Sequence, residues 1–129
     1  MSDDPTPAIV EHASPLPFDA TVQRLTDAIA RAGLTLFSRI DHAAGAREAG
    51  LSMQEAVVLT YGHAKGGTPI MQAAPLAALD LPLRVLIHAR PDGAVFIAFH
   101  PASHLLSAAG ALAARLTPAQ TLLVDALKE

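Results

Sequence analysis

The segment Gly62–Thr68 carries the residues best suited to bind a ligand. It contains three glycines and one lysine, in the order Gly62, Lys65, Gly66 and Gly67. It follows a strand-like apolar run, and Thr68 followed by Pro69 is typical of a helix start. Free main-chain N–H groups at the positive end of a helix bind anions. The segment is not a Walker motif, because Lys65 precedes the glycines. We expect a small anionic ligand here; the alternative is a tight turn that needs glycine for geometry alone.

The expected ligand-binding site extends beyond this segment. In this hypothesis the Lys65 ammonium supplies charge, and the N–H groups of the next three residues donate hydrogen bonds. Tyr61 would cover the ligand, and His42 and His63 would line the edge if the two strands lie side by side. The full set of expected ligand-binding residues is Asp41, His42, Tyr61, Gly62, His63, Lys65, Gly66, Gly67, Thr68 and Gln72.

A catalytic alternative rests on histidine. Asp41 and His42 are adjacent at a predicted helix start, so His42, or His63 in the glycine-rich segment, could act as a general base. The competing interpretation is that Asp41 caps the helix and His42 lies at the surface. His100 and His104 have the spacing of a helical metal pair, but Pro101 separates them at the first turn. The chain has no HExxH, GxSxG or GxGxxG motif, so we expect neither a metal nor a cofactor and assign no catalytic residue.

Composition bounds the class of protein. The chain has 129 residues, of which 51% are apolar and 16% charged, and its net charge is −3. These values predict one compact domain and exclude intrinsic disorder. Without cysteine there are no disulfides, thiolate nucleophiles or iron–sulfur clusters. Arginines are scattered and the apolar runs are short, so we expect neither a nucleic-acid nor a membrane partner. The acidic, proline-containing start is unlike a signal peptide, which predicts a cytoplasmic protein.

The order of predicted elements is β-α-β-α-β-α-β-β-α-α. We expect a single domain over residues 1–129, with a flexible tail at 1–7 and C-terminal helices at 100–129. Helix spacing is clearest between Asp19 and Gly33, and the residues Arg90-Pro91-Asp92-Gly93 predict a hairpin turn. The pattern indicates an α+β fold, with a mostly antiparallel sheet and helices on one face. The C-terminal Ala/Leu stripe presents more apolar surface than a small chain can cover, which predicts a homodimer. The stripe consists of Leu105, Leu106, Ala109, Leu112, Ala113 and Leu116. A third candidate function is therefore a purely structural dimerisation domain.

Several short motifs resemble domain-of-unknown-function family 302, which comprises small bacterial and archaeal domains. The motifs run in order from Phe18 to Phe99, about two-thirds of the chain: Phe18-Asp19, Gly33-Leu34, Phe37 to Ala44, Tyr61-Gly62, Gly66 to Ala73 and Asp80 to Leu83. The resemblance implies a TATA-binding-protein-like α+β fold that is commonly dimeric, and it implies no activity. One departure is local: where the family pattern looks like Phe-Gly-Asn-Pro-Lys, this chain has Tyr-Gly-His-Ala-Lys at 61–65. The C-terminal helices lie outside the resemblance.

Overall fold

A computed structural model describes residues 8–129. The predicted tail at 1–7 lies outside the described residues. The elements are β1 (Val10–Ser14), α1 (Phe18–Arg31), β2 (Thr35–Asp41), α2 (His42–Glu48), β3 (Ala56–Gly62), α3 (Ala64–Ala73), a 3₁₀ segment (Pro75–Asp80), β4 (Leu83–Ala89), β5 (Val95–Phe99), α4 (Ala102–Leu105), a second 3₁₀ segment (Ser107–Leu116) and α5 (Thr117–Ala126). The predicted order of strands and helices is confirmed.

The five strands form one sheet in the order β1-β5-β4-β3-β2, and every neighbouring pair is antiparallel. The predicted α+β fold with a mostly antiparallel sheet is therefore confirmed. β4 and β5 form the predicted hairpin: the N–H of Arg90 donates to the carbonyl of Ala94 at 2.8 Å, and Gly93 has a φ of +90°. Because β3 is antiparallel to both of its neighbours, its carboxyl end lies beside the amino ends of β2 and β4.

The main core lies between one face of the sheet and helices α1 and α5. On β3, Val57, Leu59 and Tyr61 alternate with half-buried residues and are fully buried. Leu25 and Ile29 of α1 cover this face, together with Leu123 of α5 and Leu127, which directly follows α5. Burying a large apolar side chain contributes about 1.5–3 kcal/mol, so these contacts stabilise the packing of the helices on the sheet.

A second, smaller core covers the C-terminal stripe within the chain. Leu106, Ala109 and Ala113 are buried against Ile70 of α3 and Ala77 of the first 3₁₀ segment. The stripe is also not a regular helix, because Gly110 has a φ of +58° and a ψ of −132° and interrupts it. α3 and the segment after it thus cover part of the stripe that we expected a second copy of the chain to cover, whereas Leu105, Leu112 and Leu116 are half-buried. The homodimer itself stays a prediction.

Candidate functional site

Helix α3 begins earlier than its sequence predicts. The backbone of His63 is extended, and its ring atom Nδ1 accepts a hydrogen bond from the N–H of Lys65 at 3.1 Å. The carbonyl of His63 accepts from the N–H groups of Gly66 at 3.0 Å and Gly67 at 2.9 Å. His63 therefore caps a helix that starts at Ala64, and Thr68 lies inside that helix. The N–H groups that we expected to hold an anion are engaged by the protein itself, so that part of the hypothesis is wrong.

The structure places Asp41 and His42 far from this helix. In the β2–β3 register Thr35 pairs with Gly62, whereas Asp41 pairs with Val57 at the other end of the strand. Asp41 is six residues along β2 from Thr35, so at ~3.3 Å per residue it lies roughly 20 Å from the Gly62 end of the strand pair. The Asp41 carboxylate accepts from the N–H of Ala44 at 2.9 Å and caps α2, and His42 is exposed. The expectation that His42 approaches the glycine-rich segment is wrong, because β2 runs antiparallel to β3.

Three more of the expected residues also lie apart from a common site. Tyr61 is fully buried in the main core, and its hydroxyl has no hydrogen-bond partner among the described residues. Burial raises the pKa of the Tyr61 phenol well above its ordinary value. Lys65 and Gln72 are exposed. The side chain of Tyr61 thus belongs to the sheet interior and does not cover a ligand.

The remaining five expected residues line a cavity of about 510 Å³ between α3, the start of β4 and the start of α5. Its lining residues are Ala32, Leu34, Phe37, Gly62, His63, Ala64, Gly66, Gly67, Thr68, Met71, Leu81, Pro82, Leu83, Arg115, Leu116, Pro118, Ala119 and Leu122. Phe37 reaches this cavity because the β2–β3 register shifts between Leu36 and Ser38, a bulge that redirects the side chain. The cavity is thus where Gly62, His63, Gly66, Gly67 and Thr68 come together.

The cavity wall is apolar with a basic edge. Among its described lining residues the side chains that carry nitrogen or oxygen are His63, Thr68 and Arg115, and none is a carboxylate. Arg115 is exposed, and the salt bridges found within residues 8–129 do not include it. Arg115 and the α5 residues were missed by the sequence reasoning. The sequence did single out Arg115 in one respect: it is the only lysine or arginine between Arg90 and Lys128.

Neither a metal-binding cluster nor a membrane-spanning helix is found within residues 8–129. No group of three or more His, Cys, Asp or Glu side chains in this range could hold a metal ion. None of the helices in the same range combines the length and apolar character needed to cross a membrane. His63 lines the cavity, and its Nδ1 accepts the hydrogen bond that caps α3. A general-base role for His63 stays a prediction. The position of His42, exposed and far from the cavity, does not support such a role for His42.

The fold and the cavity define a small α+β domain, built on a five-stranded antiparallel sheet with an apolar cavity at the carboxyl end of β3. The chain matches the family "Domain of unknown function DUF302" over residues 10–129 and belongs to it. It also resembles the crystal structure of an uncharacterized conserved protein DUF302 from Bacillus stearothermophilus. The TM-score is 0.81, with 15% identity, over 94% of this chain and 96% of that one. At this identity the likeness shows the fold.

Curated relatives come from Brucella and are longer. The "Fluoride-specific ion channel FluC 1" of Brucella suis biovar 1 is 35% identical over 77 residues, which make up 60% of this chain and 30% of that protein. The "Fluoride-specific ion channel FluC 1" of Brucella abortus biovar 1 is also 35% identical over 77 residues, or 28% of its length. The match therefore spans less than a third of the length of these relatives, and the channel activity in their names is a property of those proteins.

Proposed function

We propose that this domain binds a small, mainly apolar molecule with one acidic group in the cavity beside α3. The observation that carries this proposal is a cavity of about 510 Å³ with apolar walls and one arginine at its edge. Cavities that bind small molecules have volumes of about 300–1,000 Å³ and combine apolar walls with a few polar groups. Five of the residues expected to bind a ligand, between Gly62 and Thr68, also line this cavity, which supports its location.

The apolar part of the ligand would lie against the walls. Phe37 is 54% exposed, a high value for a phenylalanine, and its ring is part of the cavity lining. Leu116 and Leu122 are also part of the lining. A ligand that covers these groups removes apolar surface from water, which stabilises the complex by about 25 cal/mol per Å².

The acidic part of the ligand would lie at Arg115. A guanidinium presents a planar fork of donors that matches a carboxylate, and no carboxylate of the lining competes for it. His63 offers a further donor: because Nδ1 accepts the N–H of Lys65, the proton of the neutral ring is on Nε2. Charge therefore comes from Arg115 in this proposal, and not from Lys65 or the helix N–H groups as the sequence suggested.

Related sequences or structures occur in proteins of different length. A DUF302 protein of similar structure is matched across 96% of its length, and a related segment makes up less than a third of longer channel proteins. The proposal does not depend on a second copy of the chain.

The experiment is calorimetric titration with octanoate, decanoate and the neutral control 1-decanol. We expect the two acids to bind, and Arg115→Gln to weaken decanoate roughly fivefold to tenfold while 1-decanol is unaffected. Arg84→Gln is the matched control, since Arg84 is exposed on β4 and outside the cavity lining. Ala119→Phe should fill the cavity and weaken both probes. Failure of the wild type to bind any probe at millimolar concentration would refute the proposal, and equal effects of the two arginine variants would refute the role of Arg115.

A further inference from the structure

Helix α3 carries two consecutive glycines that its backbone does not require. Neither Gly66 nor Gly67 has a positive φ. The glycines that do are Gly33, Gly50, Gly93 and Gly110. Both lie in the helix Ala64–Ala73 with ordinary helical geometry. Glycine weakens a helix relative to alanine, so a pair of glycines in a short helix needs another reason.

Packing does not require these glycines either. A Cβ added at Gly66 would lie 3.9 Å from Cδ2 of Leu116. A Cβ added at Gly67 would lie 3.8 Å from Cδ1 of Leu81 and 3.9 Å from Cε of Met71. These are ordinary van der Waals distances, so alanine fits at both positions without a clash. All three neighbours line the cavity.

The space that each missing methyl leaves is therefore part of the cavity. At Gly66 it separates α3 from the wall that contains Leu116, and at Gly67 it separates α3 from Leu81 and Met71. We propose that Gly66 and Gly67 determine the size of the acid that the cavity admits, by letting its apolar part contact the backbone of α3. This inference rests on the proposed function and names its specificity-determining positions.

The proposal predicts opposite effects of one substitution on stability and on binding. An alanine at either position strengthens α3 in the absence of ligand, because it restricts the unfolded chain and favours helix. The same methyl occupies space that the ligand needs. Displacing one methylene of the ligand lowers its affinity roughly fourfold.

The test compares Gly66→Ala and Gly67→Ala with the control Gly45→Ala. Gly45 is the fourth residue of α2, just as Gly67 is the fourth residue of α3. Gly45 has no positive φ, and a Cβ added to it would meet nothing within 4 Å. Without ligand, Gly67→Ala and Gly45→Ala should both raise the thermal midpoint, by about 2–6 °C. With a series of straight-chain acids from hexanoate to dodecanoate, the α3 variants should bind decanoate roughly fourfold or more weakly and prefer a shorter chain. The control should bind the series as the wild type does.

Each other outcome is decisive. If the α3 variants bind the series as Gly45→Ala does, the glycines do not determine size and the inference is overturned. If they lower the thermal midpoint, a methyl does not fit and the packing premise is overturned. If the wild type binds none of the acids, the proposed function fails, which is distinct from either result.

Discussion

Tyr61 has a buried hydroxyl that no other group of the described residues contacts by a hydrogen bond. Its side chain is on the core face of β3, between Leu36 of β2 and Leu83 of β4, and is fully buried. A buried polar group without a partner costs about 1–3 kcal/mol. Tyr61→Phe removes that oxygen alone. We therefore expect the free energy of unfolding to increase by about 1–3 kcal/mol at pH 7, measured by urea unfolding.

The same residue predicts a loss of stability at high pH. Burial raises the pKa of the Tyr61 phenol above its usual range, whereas the unfolded chain releases this proton near pH 10. Above about pH 10 the unfolded state therefore binds fewer protons than the folded state, and stability falls by about 1.4 kcal/mol per pH unit. Below about pH 10 the Tyr61 phenol is protonated in both states, so its contribution to the free energy of unfolding does not change with pH. Because Tyr61 is the only tyrosine, Tyr61→Phe should lack this part of the slope.

Two results would refute this reasoning. If Tyr61→Phe is less stable than the wild type at pH 7, the hydroxyl makes a hydrogen bond in solution, to a water molecule or to a moved backbone group. If wild type and variant lose stability in parallel between pH 9 and pH 11, the phenol titrates in the folded protein as it does in the unfolded chain. Burial then does not control its ionisation.

Two further predictions concern polar side chains that hold backbone groups. Gln120 is buried, its amide oxygen accepts from the N–H of Ala102 at 2.9 Å, and its nitrogen donates to the carbonyl of His100 at 2.8 Å. Gln120→Met should therefore lower the free energy of unfolding by about 2–4 kcal/mol in urea titration, and an unchanged midpoint would contradict this. Asp41→Ala should lower it by about 1 kcal/mol through loss of the α2 cap to Ala44. Decanoate affinity should stay the same, and a weaker affinity would contradict the separation of Asp41 from the cavity.

Helix ends were predictable where glycine determines them. Gly33 has a φ of +74°, and the N–H of Leu34 donates to the carbonyl of Ile29 at 3.0 Å, which closes α1. Gly50 has a φ of +78° and closes α2 in the same way. A left-handed residue after a helix strongly favours glycine, so this pattern is local and readable from the sequence.

The start of α3 was not predictable by the same rules. Thr68 as a cap and Pro69 as the first helical residue are typical of a helix start, yet the helix begins five residues earlier, at Ala64. His63 provides the cap through a ring nitrogen, a role that histidine seldom has and that capping preferences do not indicate. The anion hypothesis depended on free N–H groups at this point, so the error in the helix start carried directly into the error about the site.

Five of the ten residues expected to bind a ligand line the cavity, but the rest of its lining was not predictable from the sequence. Gly66 and Gly67 marked its position, whereas Phe37, Leu81 and Leu116 come to it from other parts of the chain. Their meeting depends on the β2 bulge and on the irregular segment that ends at Leu116. Spacing along a chain carries no information about such distant contacts, so the apolar character of the site and the position of Arg115 needed coordinates.

The helix that faces the cavity contains more residues that disfavour a helix than α1 does. α1 contains neither glycine nor proline and covers the main core with a regular apolar face. α3 has Gly66, Gly67 and an internal Pro69, and it closes one side of the cavity. A local choice that weakens an element without a packing or conformational reason is expected where function outweighs stability. Gly45 of α2 also has neither reason and lies outside the cavity lining, so the comparison of Gly66→Ala and Gly67→Ala with Gly45→Ala decides whether the α3 glycines serve a ligand.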